Sequence, residues 1–151
     1  MTAGEDGRPP AAELAGPEVV VLPAVRLSAL ARVCALVHTG GHLVPQPGCV
    51  LLVLGPDAWT DAVPQLSRAL RRAQLMKISL VDGYLSAEVW QRGALISTPP
   101  AGVVAQQLPD VTVRLVHGSL DPLELAGCQP VPNKSRLGLL DRLRGRSSGP
   151  Q

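Results

Sequence analysis

The sequence predicts an α/β protein in which helices pack on a mixed β-sheet, with α+β character in the C-terminal half. Two early apolar runs, at residues 19–25 and 49–54, are each followed by a stretch in which apolar residues recur with helical spacing. Farther along, the pair Asp82-Gly83 between apolar runs indicates an antiparallel hairpin. The predicted order is β-α-β-α-β-β-β-α-β, and the two early β-α units predict parallel pairing with right-handed crossovers.

The first unit combines a buried strand with an amphipathic helix. Residues 19–25 open with three valines, as strands buried on both faces often do. Over residues 26–38, apolar side chains recur at i, i+3, i+4, i+7 and i+10, namely Leu27, Leu30, Ala31, Cys34 and Val37. We expect Gly40 and Gly41 to end this helix, because glycine accepts the left-handed conformation found at helix C-termini.

The second unit has the same plan. Pro45 and Pro47 indicate a loop before the second buried strand, residues 49–54. Asp61 is the predicted N-cap of the second helix, whose apolar stripe is Val63, Leu66, Ala69, Leu70 and Ala73. Residues 76–81 are the third predicted strand. We expect the helix stripes and the strand runs to be buried in one core, made of Leu27, Leu30, Cys34, Val50, Leu52, Leu66, Leu70, Ile78, Leu80, Val113 and Leu115.

A three-stranded antiparallel meander is predicted around Asp82-Gly83 and a second turn at residues 91–93. Apolar and polar side chains alternate over residues 84–90, which places Tyr84 and Trp90 on the same face. The chain has no Phe, one Tyr and two Trp, so its core must be mainly aliphatic and these aromatic side chains are unusual. We expect Trp90 to lie at a partner or self-association interface.

The rest of the chain is predicted from turn residues and apolar runs. A short helix is expected at residues 101–108, a last strand at 111–116, and one helical turn at 120–125. Residues 1–16 are predicted to be a disordered lead-in, and residues 17–128 a single domain. Residues 129–151 are predicted to be a linker followed by a basic amphipathic tail.

The C-terminal tail is the most basic part of the sequence. Residues 134–146 hold five basic residues and one acid, whereas the whole chain has a net charge of +2. The residues expected to make contacts there are Arg136, Leu137, Leu140, Arg142, Leu143 and Arg144. Such a segment is typical of a peptide that docks in an apolar groove of a partner protein, and the alternative is an anionic membrane surface.

Four potential metal ligands lie close together in sequence: Cys34, His38, His42 and Cys49. Cys34 and His38 share one helix face, and zinc accepts mixed sulfur and nitrogen ligands. Their spacing matches no standard zinc motif, and Cys34 also falls on the apolar stripe of the helix. We therefore predict no metal and no cofactor, with the cysteines as core residues.

Two strand-end loops raise the alternative of an enzyme. The loop after Gly55 precedes a helix, where α/β proteins bind anions, but it has one glycine and carries Asp57. His117, Ser119 and Asp121 are residue types of a catalytic triad without its elbow motif. Turn formation explains these residues better, and Trp59 is expected to cover the core.

A basic face on the second helix raises the question of nucleic acid. Arg68, Arg71 and Arg72 lie opposite the apolar stripe, with Lys77 beyond them. The aromatic platforms that bind single strands are absent, so a solvated helix face is the favoured interpretation and nucleic acid is not the expected partner.

The function that the sequence favours is a small non-enzymatic interaction domain that works by protein–protein contact. The first alternative is a peripheral membrane adaptor that uses the same tail, and the second is a small-molecule- or phosphate-binding enzyme-like domain that uses the loops near Gly55 and His117. A cytoplasmic location is expected, because the polar N-terminus resembles no signal peptide. The number of cysteines is also odd, three, which favours free thiols in a reducing compartment.

Overall fold

The computed structural model describes residues 17–132, which form a seven-stranded sheet with four helices. The strands lie in the order β6-β5-β4-β1-β3-β2-β7. Their bounds are β1 Val19–Pro23, β2 His42–Gln46, β3 Cys49–Val53, β4 Leu75–Val81, β5 Tyr84–Gln91, β6 Ala94–Ser97 and β7 Gln129–Pro130. The helices are α1 Leu27–Leu36, α2 Ala62–Ala69, α3 Ala101–Gln107 and α4 Asp110–Val116, and Pro122–Glu124 is a 3-10 turn. The predicted combination of helices packed on a sheet is confirmed.

The helices cover both faces of the sheet. On one face, α1 and α2 bury side chains such as Leu30 and Leu66 against β1, β2 and β3. On the other face, Val104 of α3 and Leu115 of α4 pack on the alternate residues of the same strands. The expectation of one core is therefore wrong, because strand residues point alternately to opposite faces. Val50 and Leu52 belong to the first core, whereas Ile78 and Leu80 belong to the second.

All strand pairs in residues 17–132 are antiparallel, so the predicted parallel pairing is not found. Each early helix does connect two strands that run in the same direction. In both cases, however, one antiparallel strand lies between them: β3 separates β1 from β2, and β1 separates β3 from β4. These are split β-α-β units. Apolar patterning does not distinguish them from β-α-β units whose two strands are direct neighbours in the sheet.

The segment predicted as a proline-bounded loop is instead strand β2, which forms a hairpin with β3. His42 pairs with Val53 and Gln46 pairs with Cys49. Pro45 is tolerated because β7 pairs only with His42 and Leu43, so no strand of residues 17–132 lies on the outer side of β2 at Pro45. Proline lacks a backbone donor, and at such a position none is needed.

Residues 111–116, predicted as a strand, form helix α4. The segment is rich in β-branched residues, which favour strands, but Thr112, Leu115 and Val116 are buried at helical spacing. Burial of these side chains against the sheet therefore outweighs the preference of the β-branched residues for a strand. As predicted, Pro109 separates this helix from α3. Residues 129–130, expected in the linker, form β7.

The predicted meander of β4, β5 and β6 is confirmed. Both of its turns place two residues at positive φ, Asp82 and Gly83 in the first and Arg92 and Gly93 in the second. This is the backbone of the type I′ turn, whose twist matches that of the strands. Among the described residues, no helix has the length and apolar character needed to cross a membrane.

Candidate functional site

An open cleft of about 710 Å³ lies beside the loop that joins β3 to α2. Two tryptophans, Trp59 from the loop and Trp90 from β5, contribute to its walls. Three prolines also line it, namely Pro17, Pro56 and Pro64. We call it the tryptophan cleft. It has the size and the largely apolar character of ligand-binding sites.

Trp59 is held in place by the turn that follows α1. The imidazole of His38 stacks on the indole, with ring centroids 3.7 Å apart and an angle of 14° between the planes. The backbone N–H of Trp59 also donates to the carbonyl of His38, at 3.0 Å. Trp59 is nevertheless 50% exposed. The expectation that it covers the core is therefore wrong, because it lies at the surface with His38 supporting it.

His38, and not Gly40, is the residue that turns the chain at the end of α1. Its φ is 59°, in the left-handed region, and its N–H donates to Ala35 O. The helix therefore ends earlier than predicted, at Leu36. A histidine in this conformation is uncommon, and here it aims the ring at Trp59.

Two backbone segments touch directly below the cleft. A Cβ atom on Gly41 would collide with the carbonyl oxygen of Val53, and one on Gly55 would lie 2.7 Å from the backbone nitrogen of Gly41. The N–H of Gly55 donates to Thr39 O at 3.0 Å. The loop that carries Trp59 is thus fixed to the turn that carries His38, and this is why glycine occupies both positions.

The polar side chains beside the cleft are linked to one another by ion pairs and a hydrogen bond. Lys77 Nζ lies 3.6 Å from Glu18 Oε2 and 3.5 Å from Glu88 Oε1. Glu88 Oε1 also accepts a hydrogen bond of 3.0 Å from Trp90 Nε1. Lys77 therefore orients Trp90 through Glu88. Of the three arginines predicted to form a basic face on the second helix, only Arg68 lies in α2, and Arg71 and Arg72 follow it.

Trp90 connects the cleft to an edge of the sheet. It pairs with Leu95 of β6, so the two side chains project from the same face. The register shifts between Val89 and Trp90, which leaves Ile96 as an extra residue in β6. Leu95 and Ile96 are each 47% exposed, and Trp90 also packs against the first core. Apolar surface therefore extends outward from the cleft.

The four candidate metal ligands do not come together. Cys34 is buried on the first face, whereas Cys49 packs against the core of the second. His42 and Cys49 lie at opposite ends of the β2–β3 hairpin, about 13 Å apart at 3.3 Å per residue. His38 stacks on Trp59. Residues 17–132 hold no group of three or more ligands of this kind.

The cysteines lie in surroundings that keep them protonated. Burial raises the pKa of the Cys34 thiol to about 12, and a hydrogen bond with the Thr39 side chain opposes part of that shift. Burial also raises the pKa of Cys49, and that of Cys128, where the carboxylate of Asp121 adds to the effect. Thiolates are the reactive form, so none of the three is an activated nucleophile.

The two loops of the enzyme alternative do not share the cleft. The loop after Gly55 forms part of it, but His117 ends α4 and is not among the lining residues. Asp61 occupies the N-cap position of α2, yet its carboxylate accepts from Gln65 Nε2 at 3.1 Å and makes no backbone cap. Asp121 accepts from the backbone of Leu123, as a turn residue does.

Tyr84, the other aromatic expected at an interface, is 78% exposed at the far end of β5. It lies six positions before Trp90, about 20 Å along a strand. The two aromatics therefore do not form one patch. The tail residues Arg136, Leu137, Leu140, Arg142, Leu143 and Arg144 lie outside the described residues.

Sequence reasoning did not find the cleft, because its walls come from segments far apart in the chain. No family model matches the sequence, and neither a curated protein nor a solved structure shows significant similarity to it. The function must therefore be inferred from the surfaces themselves.

Proposed function

We propose that this chain is a non-enzymatic interaction domain that binds a partner protein through the tryptophan cleft. The observation that carries the proposal is the half-exposed Trp59, held by His38 at the mouth of a cleft that also contains Trp90. Tryptophan dominates the binding energy of many protein interfaces when it lies in a pocket. A large exposed aromatic that is rigidly supported also loses little entropy on binding.

The lining favours binding over catalysis. Among residues 17–132 it has no cysteine or histidine in its lining, and its lysine is paired with Glu18 and Glu88. Its tryptophans and prolines suit an apolar segment of a partner, and Leu95 and Ile96 extend the contact beyond Trp90.

The partner is expected to contribute side chains and not an added strand. Strand β6 has four residues and a bulge, and both features protect sheet edges against pairing with another chain. Self-association, where it occurs, would use the side chains of Trp90 and Leu95 in the same way.

Binding of a small molecule is a second candidate, favoured by the volume of the cleft, which falls within the range of about 300–1,000 Å³ that is typical of ligand sites. The C-terminal tail is proposed as a second contact with the protein partner, with an anionic membrane as the alternative surface. The cytoplasm remains the proposed location.

The test begins with selection of binders from a random peptide library on the full chain. Enriched peptides with apolar anchors should bind the wild type and the control Leu123→Ala, which alters an exposed leucine outside the cleft. They should bind Trp59→Ala at least about tenfold more weakly, the loss expected for a central interface residue. Equal binding to Trp59→Ala would remove the cleft as the partner surface.

A further inference from the structure

Three arginines from two separate segments line one depression of about 470 Å³. Arg71 and Arg72 follow α2, and Arg92 lies in the turn between β5 and β6. We call it the arginine cleft. Within residues 17–132, no carboxylate pairs with any of the three. Their positive charges therefore add in one place, which favours an anion there.

The fold holds the two segments together. The backbone N–H of Gly93 donates to Ser67 Oγ at 2.7 Å, and Ser67 Oγ donates to the carbonyl of Pro64 at 2.9 Å. Ser67 is fully buried. The Arg68 side chain lies so close to Gly93 that a Cβ there would be 2.7 Å from Arg68 Cγ. Arg92 is thus placed beside Arg71 and Arg72 by an anchored turn.

Arg92 itself breaks a local preference. Its φ is 52°, at the first central position of a type I′ turn, where Asn, Asp and Gly are favoured. The first turn of the same meander has Asp82 at that position, with φ 53°. An unfavourable residue at a turn is a reason to look for a function, and here it adds the third positive charge to the depression.

An apolar depression of about 480 Å³ adjoins the arginine cleft and shares Arg71 and Arg72 with it. Its other walls include Pro23, Val25 and Leu70, and Val25 is 43% exposed. A group that fits both depressions carries a concentrated negative charge next to an apolar side chain.

We propose that the arginine cleft binds the phosphoryl group of a phosphorylated peptide segment, with an apolar side chain of that segment against Val25 and Leu70. Guanidinium groups match phosphate oxygens with two parallel hydrogen bonds, and a dianion balances several of them. Arginine clusters are a general means of recognising phosphorylated segments. This site is separate from the tryptophan cleft and does not depend on it.

A peptide fits better than nucleic acid. In the part of the chain that the structure describes, no aromatic side chain on which a base could stack lines either depression. The basic region is also short, because Lys77 is engaged with Glu18 and Glu88 on the other side of Trp90. Nucleic acid would need a longer basic track.

The test uses the full chain, labelled with ¹⁵N so that the arginine Nε–H signals can be followed. The probes are a short peptide with phosphoserine next to leucine, the same peptide without phosphate, and a single-stranded oligonucleotide, all at one ionic strength. The phosphopeptide should shift the signals of Arg71, Arg72 and Arg92 and bind about tenfold or more tightly than its unphosphorylated form. Equal affinity of the two peptides, or tighter binding of the oligonucleotide, would overturn the proposal.

Arg92→Asn separates binding from folding. Asparagine suits a positive φ, so this variant should unfold at the same or a higher urea concentration than the wild type. It should nevertheless bind the phosphopeptide about tenfold more weakly, because one charged partner is lost. Arg114→Gln, on helix α4 across the sheet, should leave the affinity unchanged. An unchanged affinity of Arg92→Asn would contradict the assignment.

Discussion

The imidazole of His38 lies against the indole of Trp59, two residues that are 21 positions apart in the chain and belong to different turns. The stack and the backbone hydrogen bond between the same two residues hold one wall of the tryptophan cleft. Because His38 also has a positive φ, it combines a contact that stabilises the cleft with a backbone conformation that costs free energy.

Two substitutions of His38 should separate the stabilisation by the ring contact from the cost of the positive φ. His38→Ala loses the ring contact and keeps the unfavourable φ, so we expect the free energy of unfolding to fall by about 1–2 kcal/mol. His38→Gly loses the same contact but accommodates the φ, and it should be the more stable of the two by about 1 kcal/mol. Urea denaturation measures both values. A His38→Ala variant as stable as the wild type would show that the stack contributes nothing.

Gly41 should be far less tolerant of a side chain than Gly48. Both have positive φ, 76° and 81°, so alanine is strained at either position. Only at Gly41 would the new Cβ collide with Val53 O, whereas no atom of the described residues lies within 4 Å of a Cβ at Gly48. We expect Gly48→Ala to cost about 1–2 kcal/mol, and Gly41→Ala to cost at least about 2 kcal/mol more. Comparable thermal stability of the two variants would argue against the close contact of Gly41 with the β3–α2 loop.

The buried Cys34 thiol should make stability depend on alkaline pH. In the unfolded chain the pKa is near 9.0, whereas in the folded chain burial raises it to about 12. Between these values the unfolded chain loses a proton that the folded chain keeps. The contribution of Cys34 to stability is therefore complete below pH 9 and falls as the pH rises, by up to about 1.4 kcal/mol per unit.

Urea denaturation of wild type and Cys34→Ala at several pH values checks this expectation. The stability difference between them should shift in favour of the alanine variant as the pH rises above 9, because alanine has no proton to lose. A difference that stays constant with pH would show that the thiol ionises as readily in the folded chain as in the unfolded one.

The C-terminal tail should prefer a protein groove to a lipid surface. Their spacing would place Leu137, Leu140 and Leu143 on one side if residues 136–144 formed a helix, but without an aromatic anchor they would bury little area in a bilayer. We therefore expect a synthetic peptide of residues 134–146 to stay unbound in flotation with anionic vesicles at physiological salt. Clear flotation with the vesicles would instead favour the membrane-adaptor alternative, at about 1 kcal/mol per basic residue near the surface.

Elements with a clear period or a specific turn could be predicted from the sequence. Helices α1 and α2 followed from their apolar stripes, and the meander followed from Asp82-Gly83. Strand β2 was missed because Pro45 suggests a loop, and only the short length of β7 explains why it is tolerated there. Helix α4 was missed because its β-branched residues imitate a strand. Local patterns do not show which strands are neighbours in the sheet. The antiparallel pairing could not be predicted for this reason, because it depends on the strand that lies between the two strands of each β-α-β unit.

The sites were harder to predict than the fold. Trp90 was expected at an interface from strand alternation, and this stays a prediction. The tryptophan cleft depends on segments up to 73 positions apart, from Pro17 to Trp90, and the arginine cleft depends on a turn anchored by Ser67. The sequence did contain one indication of the arginine cleft, because arginine is unusual beside a glycine such as Gly93 in a two-residue hairpin turn.

The most direct measurement is the fluorescence of the two tryptophans, because both of them line the proposed partner site and the chain has no others. A saturating peptide from the library selection should shift the emission to shorter wavelengths and reduce quenching by acrylamide, since a partner in the tryptophan cleft removes both indoles from water. Emission and quenching that stay unchanged when the peptide is bound would contradict the account, because they would place the partner elsewhere on the molecule.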